Sequence, residues 1–141
     1  MNQNLKVLQA FTDGHVLSQL RVQSHHLNRY NTLHGGMIGY LIDVCGSASI
    51  AAKRQHLMTG VTTDLNMTCI RAAKPGDLLT IHSQSEKVGR NVVFSSVNLY
   101  VFPDEVTTID QLQGKQDLQE FLIAGGRHTK FISNRHIDAK L

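Results

Sequence analysis

The sequence predicts an α+β fold in which a single antiparallel sheet wraps around one long central helix. Apolar residues recur at helical spacing in one continuous segment, and they alternate with polar residues in segments on either side of it. Turn sequences rich in Gly, Asp, Asn and Pro separate the alternating segments, as between antiparallel strands. A chain of 141 residues fits one domain with its own core, so we take residues 1–141 as a single domain.

The first predicted element is a β-hairpin that runs from Leu5 to Val22. Asp13 and Gly14 supply its two-residue turn, because glycine takes positive φ without cost and aspartate tolerates it. The polar stretch from Ser24 to Thr32 is typical of a loop. This loop leads into the helix.

One helix is predicted from Gly36 to about Arg54. Its apolar side chains cover one face and much of the other, at Met37, Ile38, Leu41, Ile42, Val44, Cys45, Ala48 and Ile50. A helix that is apolar almost all round is buried, and Gly39 and Gly46 keep it thin enough for a sheet to wrap closely. A membrane span is the alternative, which we reject because the run is short and contains Asp43.

Four strands are predicted after the helix. The first is half-buried, because apolar residues alternate with polar ones at Val61, Leu65, Met67 and Cys69. Two further strands follow, Leu79–Val88 and Val92–Phe102. The turn Lys74–Asp77 precedes the first of them, and the turn Gly89–Asn91 precedes the second. The last strand runs from Phe121 to Ile132, and Gly125–Gly126 predicts a bulge in it.

The segment 103–120 is predicted to be an insertion between the last two strands, with a helical turn inside it. It carries five of the eleven acids and only Lys115 as a base, so the rest of the chain has 13 bases against 6 acids. This balance of +7 suits a small polyanionic ligand. Nucleic acid is not predicted as a partner, because the bases occur singly or in pairs without interleaved aromatic residues.

A lone sheet covers only one side of its helix, so the chain is predicted to form a homodimer that protects the other side, and further a homotetramer. The first fourteen residues carry only Lys6 as a base and show no signal-peptide pattern. Cys45 and Cys69 lie in apolar segments without metal or disulfide spacing. We therefore expect an intracellular protein with reduced thiols, cytoplasmic or mitochondrial.

Asp43 is the only charged side chain among residues 35–52. Burial of an unpaired carboxylate costs several kcal/mol, so the position favours a functional carboxylate; an aspartate that faces solvent or bonds a strand backbone is the alternative. Gly35 and Gly36 open the helix, where unpaired N–H groups make an oxyanion site for acyl transfer. Eight residues separate Gly35 from Asp43, about 12 Å along the axis, so both reach one carbonyl only if two chains contribute.

Four stretches of the chain resemble hotdog-fold acyl-CoA thioesterases of the phenylacetate-pathway and thioesterase superfamily member 2 type. The first is Asn-Arg-Tyr-Asn-Thr-Leu-His-Gly-Gly at 28–36, followed by Leu41 and Asp43; the others are 60–66, 73–77 and 126–130. The resemblance extends from about Val7 to Lys130. It implies hydrolysis of acyl-CoA to free acid and CoA at a dimer interface, without a cofactor.

The resemblance also implies roles for site residues. Asp43 matches the carboxylate that activates the attacking water, although attack by Asp43 itself through an anhydride stays open. Gly35 matches the backbone N–H that polarises the carbonyl, and Asn28 the polar residue beside it. His34 matches the histidine of the turn, with a catalytic or a structural role. Thr62 stands where relatives place a serine that fixes the water.

The anionic phosphates of CoA require bases near the cleft mouth. Arg90, Lys87, Arg127 and His128 are the candidates, and a solvated surface base is the alternative for each. Phe131 is apolar where a relative has a polar residue near the nucleotide, so that contact is not carried over. The insertion is longer than the usual hairpin of the family; it caps the pantetheine entrance, builds an oligomer contact, or does neither.

The remaining histidines do not predict a metal site, because His15, His25, His26, His56, His82 and His136 lack ligand spacing. No nucleophile elbow with a Ser-His-Asp pattern is present, which favours direct attack by water. Two alternatives remain. One is a non-catalytic acyl-CoA sensor or scaffold that kept the cleft; the other is a hotdog dehydratase or hydratase, whose surrounding motifs we do not find.

Overall fold

Six antiparallel strands form one sheet, and a helix of 20 residues lies across it. The computed structural model describes residues 4–133. The strands and helices in chain order are β1 (Lys6–Ala10), β2 (His15–Arg21), α1 (Gly35–Arg54), β3 (Val61–Cys69), β4 (Leu78–Val88), β5 (Val92–Val101), α2 (Ile109–Gln113) and β6 (Leu122–Phe131). Short 3-10 turns occur at Ser24–His26 and Leu118–Glu120.

The strand order in the sheet is β1-β2-β4-β5-β6-β3, and every neighbouring pair is antiparallel. The predicted α+β class, with one antiparallel sheet and one long helix, is confirmed. β1 and β3 are the edge strands, and α1 contacts β2, β4, β5, β6 and β3 in its passage across the sheet. The chain therefore runs from the hairpin at one edge, through the helix, to β3 at the opposite edge.

The main core lies between α1 and the inner face of the sheet. Leu41 and Ile42 of the helix are fully buried against strand residues that include Leu79, Ile81, Val97 and Leu99. Full burial of each such side chain stabilises the fold by about 1.5–3 kcal/mol. The apolar face of α1 is thus what fixes the helix on the sheet.

The sheet covers only one side of α1 in the single chain, as predicted. The buried residues of the helix form one broad face, whereas Tyr40, Asp43, Val44 and Ser47 stay partly exposed. A flat sheet reaches only one side of a helix, so the opposite side depends on some other cover. By length and composition alone α1 could cross a membrane, yet in this fold it packs along the sheet as a core helix.

Strand β3 differs from its predicted half-buried state. Every residue of the strand except Leu65 is exposed, because β3 is an edge strand. The register shifts between Thr62 and Asp64, so Thr63 is an extra residue. Val61 and Leu65 consequently lie on opposite faces of the sheet, although their spacing in the sequence placed them on one face.

The predicted bulge at Gly125–Gly126 is also wrong. Both glycines pair regularly with β3 and β5, and the irregularity falls instead at Ile123, opposite Leu99 and Tyr100. A Cβ on Gly126 would collide with the carbonyl oxygen of Asn66, and one on Gly125 would lie 2.6 Å from Asn98 Oδ1. The glycines are needed for close approach and not for a turn of the chain.

Segment 103–120 connects β5 to β6 and covers the outer face of the sheet, away from α1. Its apolar residues Val106, Ile109 and Leu112 pack on Leu17 and Tyr100. Neighbouring residues along these strands face α1, so Leu17 and Tyr100 point to the other side of the sheet. A hydrogen bond of 2.9 Å from Gln19 Nε2 to the Val106 carbonyl also holds the segment.

Candidate active site

Asp43 lies on the side of α1 that faces β3 and β6, where it meets two side chains. Thr62 Oγ1 donates a hydrogen bond of 3.1 Å to Asp43 Oδ1, and His128 Nε2 lies 3.0 Å from the same oxygen. Thr62 Oγ1 and His128 Nε2 are themselves 2.7 Å apart. A carboxylate, a hydroxyl and an imidazole therefore form a closed triangle at one carboxylate oxygen.

Small residues on α1 make room for this triangle. Gly39, Asp43 and Ser47 recur every four residues and so share one helical face, which runs along β3 and β6. A Cβ on Gly46 would lie 2.9 Å from His128 Nδ1 and 2.7 Å from Ser95 Oγ. Glycine at position 46 thus lets the imidazole fit between the helix and the sheet.

His128 is a buried imidazole, and its lowered pKa favours the neutral form. Its side chain is 0% exposed, and burial lowers its pKa below the usual range; the Asp43 carboxylate opposes this and the Lys130 ammonium reinforces it. A neutral Nε2 that carried a lone pair would repel the carboxylate oxygen, so we assign the proton to Nε2. Nε2–H then donates to Asp43 and Thr62, and Nδ1 is left buried without a hydrogen-bond partner.

Asp43 is half-exposed and hydrogen-bonded, so it is not a buried, unpaired carboxylate. Its side chain is 47% exposed, and both of its hydrogen-bond donors approach Oδ1. No hydrogen bond within residues 4–133 engages Oδ2. Only one oxygen is thus held by the protein, and the side chain as a whole keeps access to solvent.

Lys130 belongs to the same group, and the sequence analysis missed it. Its side chain is almost wholly buried, and Nζ donates hydrogen bonds of 2.8 Å to Ser47 Oγ and to Thr59 Oγ1. Burial lowers the pKa of the ammonium, and Asp43 acts in the opposite direction. The signal was present in the sequence: His128 and Lys130 are two residues apart in a strand and so point to one face.

The turn before α1 holds the second predicted group. His34 is the N-cap of the helix, and its Nδ1 accepts a hydrogen bond of 2.8 Å from the Gly36 N–H. Within residues 4–133 no acceptor engages the Gly35 N–H. A Cβ on Gly35 would meet only Met67 Cε, at 4.0 Å, so the chain leaves the position of that Cβ uncrowded.

Asn28 ties the loop that precedes this turn. Its Oδ1 accepts hydrogen bonds from the backbone N–H groups of Tyr30, at 2.9 Å, and Thr32, at 3.2 Å. Its Nδ2 donates to Thr32 Oγ1 at 3.0 Å, and Asn31 adopts a positive φ of 60°. In the described part of the chain no hydrogen bond joins Asn28, His34 or Gly35 to the triangle at Asp43.

Three of the four bases predicted to contact CoA lie at the surface. Lys87, Arg90 and Arg127 are exposed, and Lys87 pairs with Phe94 in the β4–β5 ladder. The structure does not place His128 with them, because that side chain faces α1 with no exposure. Arg127 and His128 are successive residues of one strand, so their side chains point to opposite faces of the sheet and only Arg127 reaches the surface.

Within residues 4–133, no three His, Cys, Asp or Glu side chains come together in a way that could hold a metal ion. His136 lies outside the described residues. His15 and His82 form a pair on the outer face of the sheet, with His15 Nδ1 2.9 Å from His82 Nε2. This pair is remote from Asp43.

Comparison with known families gives a direct assignment. The profile of the thioesterase superfamily matches residues 30–108, a span that includes the turn, α1, β3 and β4. The chain belongs to the thioesterase superfamily. This confirms the family that the sequence motifs predicted, and the architecture is the hotdog fold of that family.

Relatives in this superfamily match most of the length of the chain. It is 34% identical over 122 residues to a putative esterase of Schizosaccharomyces pombe, a match that covers 86% of this chain and 65% of that protein. It is 31% identical to human acyl-coenzyme A thioesterase 13 over 121 residues, or 86% of this chain and 75% of that one. The chain therefore spans just under two thirds of the length of the Schizosaccharomyces pombe protein.

A solved structure gives the same result. Zebrafish thioesterase superfamily member 2 superimposes with a TM-score of 0.74 at 35% sequence identity, over 92% of this chain and 82% of that one.

Proposed function

We propose that this thioesterase hydrolyses acyl-CoA thioesters to the free acid and CoA. The observation that carries the proposal is the Asp43 carboxylate, half exposed, with Thr62 and His128 both bound to Oδ1 and with no hydrogen bond to Oδ2 within residues 4–133. A carboxylate held in this way is oriented to accept a proton from water. The name of the human relative, acyl-coenzyme A thioesterase 13, supports CoA thioesters as the substrate class.

In the proposed reaction, water attacks the thioester carbonyl and gives one proton to Asp43 Oδ2. The Gly35 N–H stabilises the oxyanion that forms, because its position at the start of α1 places it at the positive end of the helix dipole. The C–S bond then breaks, and Asp43 returns its proton to the departing CoA thiolate. Thr62 and His128 hold the carboxylate in place, while Asn28 and His34 hold the turn.

The two halves of the site come from two chains in this proposal. Gly35 and Asp43 are separated by about 12 Å along one helix, and no hydrogen bond in the described part of the chain joins their surroundings. The open side of α1 and the free edge of β3 both lie beside Asp43. A second copy that pairs there in antiparallel fashion brings its own Gly35 to the Asp43 of the first.

Binding of CoA is assigned to Lys87, Arg90 and Arg127. All three are exposed, and their charges complement the phosphates of CoA. Segment 103–120 packs elsewhere on the outer sheet face and carries five of the eleven acids, so the rest of the chain keeps its excess of bases.

Steady-state hydrolysis of a series of acyl-CoA substrates tests the proposal. The Asp43→Asn variant should lose about 10²-fold or more in kcat, because it keeps the shape of the side chain and removes its basicity. Asp64→Asn is the matched control, since Asp64 lies on the same strand as Thr62 but is exposed and pairs opposite Thr129. Full turnover by Asp43→Asn would contradict the mechanism; tight acyl-CoA binding without turnover in the wild type would favour the sensor alternative.

Mixed dimers test the shared site. Asp43→Asn and Asn28→Ala are each expected to be weakly active alone, and a heterodimer of the two contains one intact site. After unfolding and refolding together, about a quarter of wild-type activity should return, since half of the dimers are mixed. A site built by two chains would be contradicted if the refolded mixture were no more active than the sum of the two separate variants. An active monomer in sedimentation would contradict it as well.

A further inference from the structure

We propose that Lys130 is a positioning residue whose buried ammonium keeps His128 uncharged and thereby keeps Asp43 free to act as the base. This inference rests on the proposed function, because the reaction is what requires a basic Asp43. A protonated His128 would form an ion pair with Asp43, since its Nε2 already lies 3.0 Å from Oδ1. An ion-paired carboxylate is a weaker base.

The contacts of Lys130 fix its charge close to this pair. Nζ is held at 2.8 Å by one hydroxyl from α1, Ser47, and at 2.8 Å by one from the loop before β3, Thr59. Both ligands are neutral, so they anchor the ammonium without cancelling its charge. Ser47 is one helical turn from Asp43, and Lys130 is two residues from His128 on the same face of β6.

The charged groups around Lys130 are few. From α1, Asp43 faces it, and Arg54 lies about three turns further along the helix, where its guanidinium donates to the Met58 carbonyl. From its own strand, His128 faces it. From β5, the partner in the ladder is Val93, and from β3 it is Thr62. Asp43 is therefore the one acidic side chain near the ammonium in the part of the chain that the structure describes.

Burial of the Lys130 ammonium is costly, because no carboxylate bonds directly to it. A neutral hydrogen-bond donor at this position could also connect α1 to the loop before β3, so the connection alone does not explain the charge. The charge has an effect on its neighbour: Lys130 and burial both hold the pKa of His128 below its usual range, against the pull of Asp43. Removal of the charge should thus let His128 take up a proton at higher pH. The acid limb of activity would move in the same direction.

The experiment is an NMR titration of the His128 imidazole, together with the pH profile of kcat/KM, in wild type, Lys130→Met and Lys130→Arg. In Lys130→Met the His128 titration and the acid limb should both move up by about one pH unit. Lys130→Arg should keep both within a few tenths of a unit, because it keeps the charge. Lys53→Met is the matched control: it removes an exposed lysine at the end of α1 and should shift neither.

A structural tie alone would lower activity equally at all pH values and leave the His128 titration in place, and that result in Lys130→Met would overturn the inference. If Lys130→Met does not fold, Lys130→Gln decides: its amide keeps a hydrogen-bond donor but carries no charge, and an unchanged His128 titration there would also overturn the inference. The titration does not depend on turnover. A chain that hydrolyses no acyl-CoA would therefore refute the proposed function and leave this measurement meaningful.

Discussion

The two groups of predicted site residues lie at opposite ends of the first half of α1 and use their polar atoms differently. In the turn, 28–36, the polar side chains bond to the backbone nearby: Asn28 to the loop and His34 to the Gly36 N–H. Around Asp43, the polar side chains bond to each other across three elements. The turn thus presents a backbone group, whereas the Asp43 cluster (Asp43, Thr62, His128 and Lys130) presents a side chain.

This difference indicates which changes each region tolerates. A variant in the turn acts through the shape of the backbone and should affect stability as much as activity. A variant in the Asp43 cluster acts on the orientation or charge of one carboxylate and should affect activity first. The following predictions test that separation.

Among the residues that support Asp43 or the turn, the largest effect is expected for His128→Leu, which removes a hydrogen bond to a charged group from a fully buried position. Such bonds are worth about 1.5–3 kcal/mol, so kcat should fall about 10- to 100-fold. His128→Gln should recover most of this loss because its amide N–H can reach Asp43 Oδ1. Steady-state kinetics with thermal unfolding as a control would measure both; equal losses in the two variants would show that the hydrogen bond is not what matters.

A smaller effect is expected for Thr62→Val, which keeps the volume and removes the hydroxyl that donates to Asp43 at 3.1 Å. Loss of one such bond should lower kcat by about tenfold. Thr62→Ser keeps the hydroxyl, so its kcat should stay within about twofold of wild type. If Thr62→Val matched Thr62→Ser, the hydroxyl would have no part in the orientation of Asp43.

The smallest effect on activity is expected for His34→Ala in the turn. The substitution removes the N-cap of α1, which should lower the free energy of unfolding by about 1 kcal/mol. His34→Asn should retain most of that stability, since asparagine is a good N-cap. Chemical denaturation would measure the change. A loss of kcat comparable with that of His128→Leu at unchanged stability would make His34 catalytic, and the separation of the two regions would fail.

Local pattern was sufficient for much of the fold and for part of the site. The alternation in β4 and β5 and the helical spacing of α1 place these elements within one or two residues of their observed bounds, because period reports which face is apolar. Asp43 stood out because it is charged within an apolar helix, and the Gly35–Gly36 turn because it opens that helix. These are properties of single segments, which the chain displays without reference to its other parts.

The tertiary structure alone decided what depends on register and on neighbours distant in sequence. The extra residue at Thr63 reversed the facing of Val61, and β3 is exposed because it is an edge strand. Segment 103–120 lies on the outer sheet face because Leu17 and Tyr100 offer it an apolar surface. His128, expected at a CoA surface, and Lys130, not expected at all, meet Asp43 because β6 pairs with β3 under the helix. The sequence of a strand determines which of its residues lie on the same face. It does not determine whether that face turns toward the helix, or which strand pairs with it.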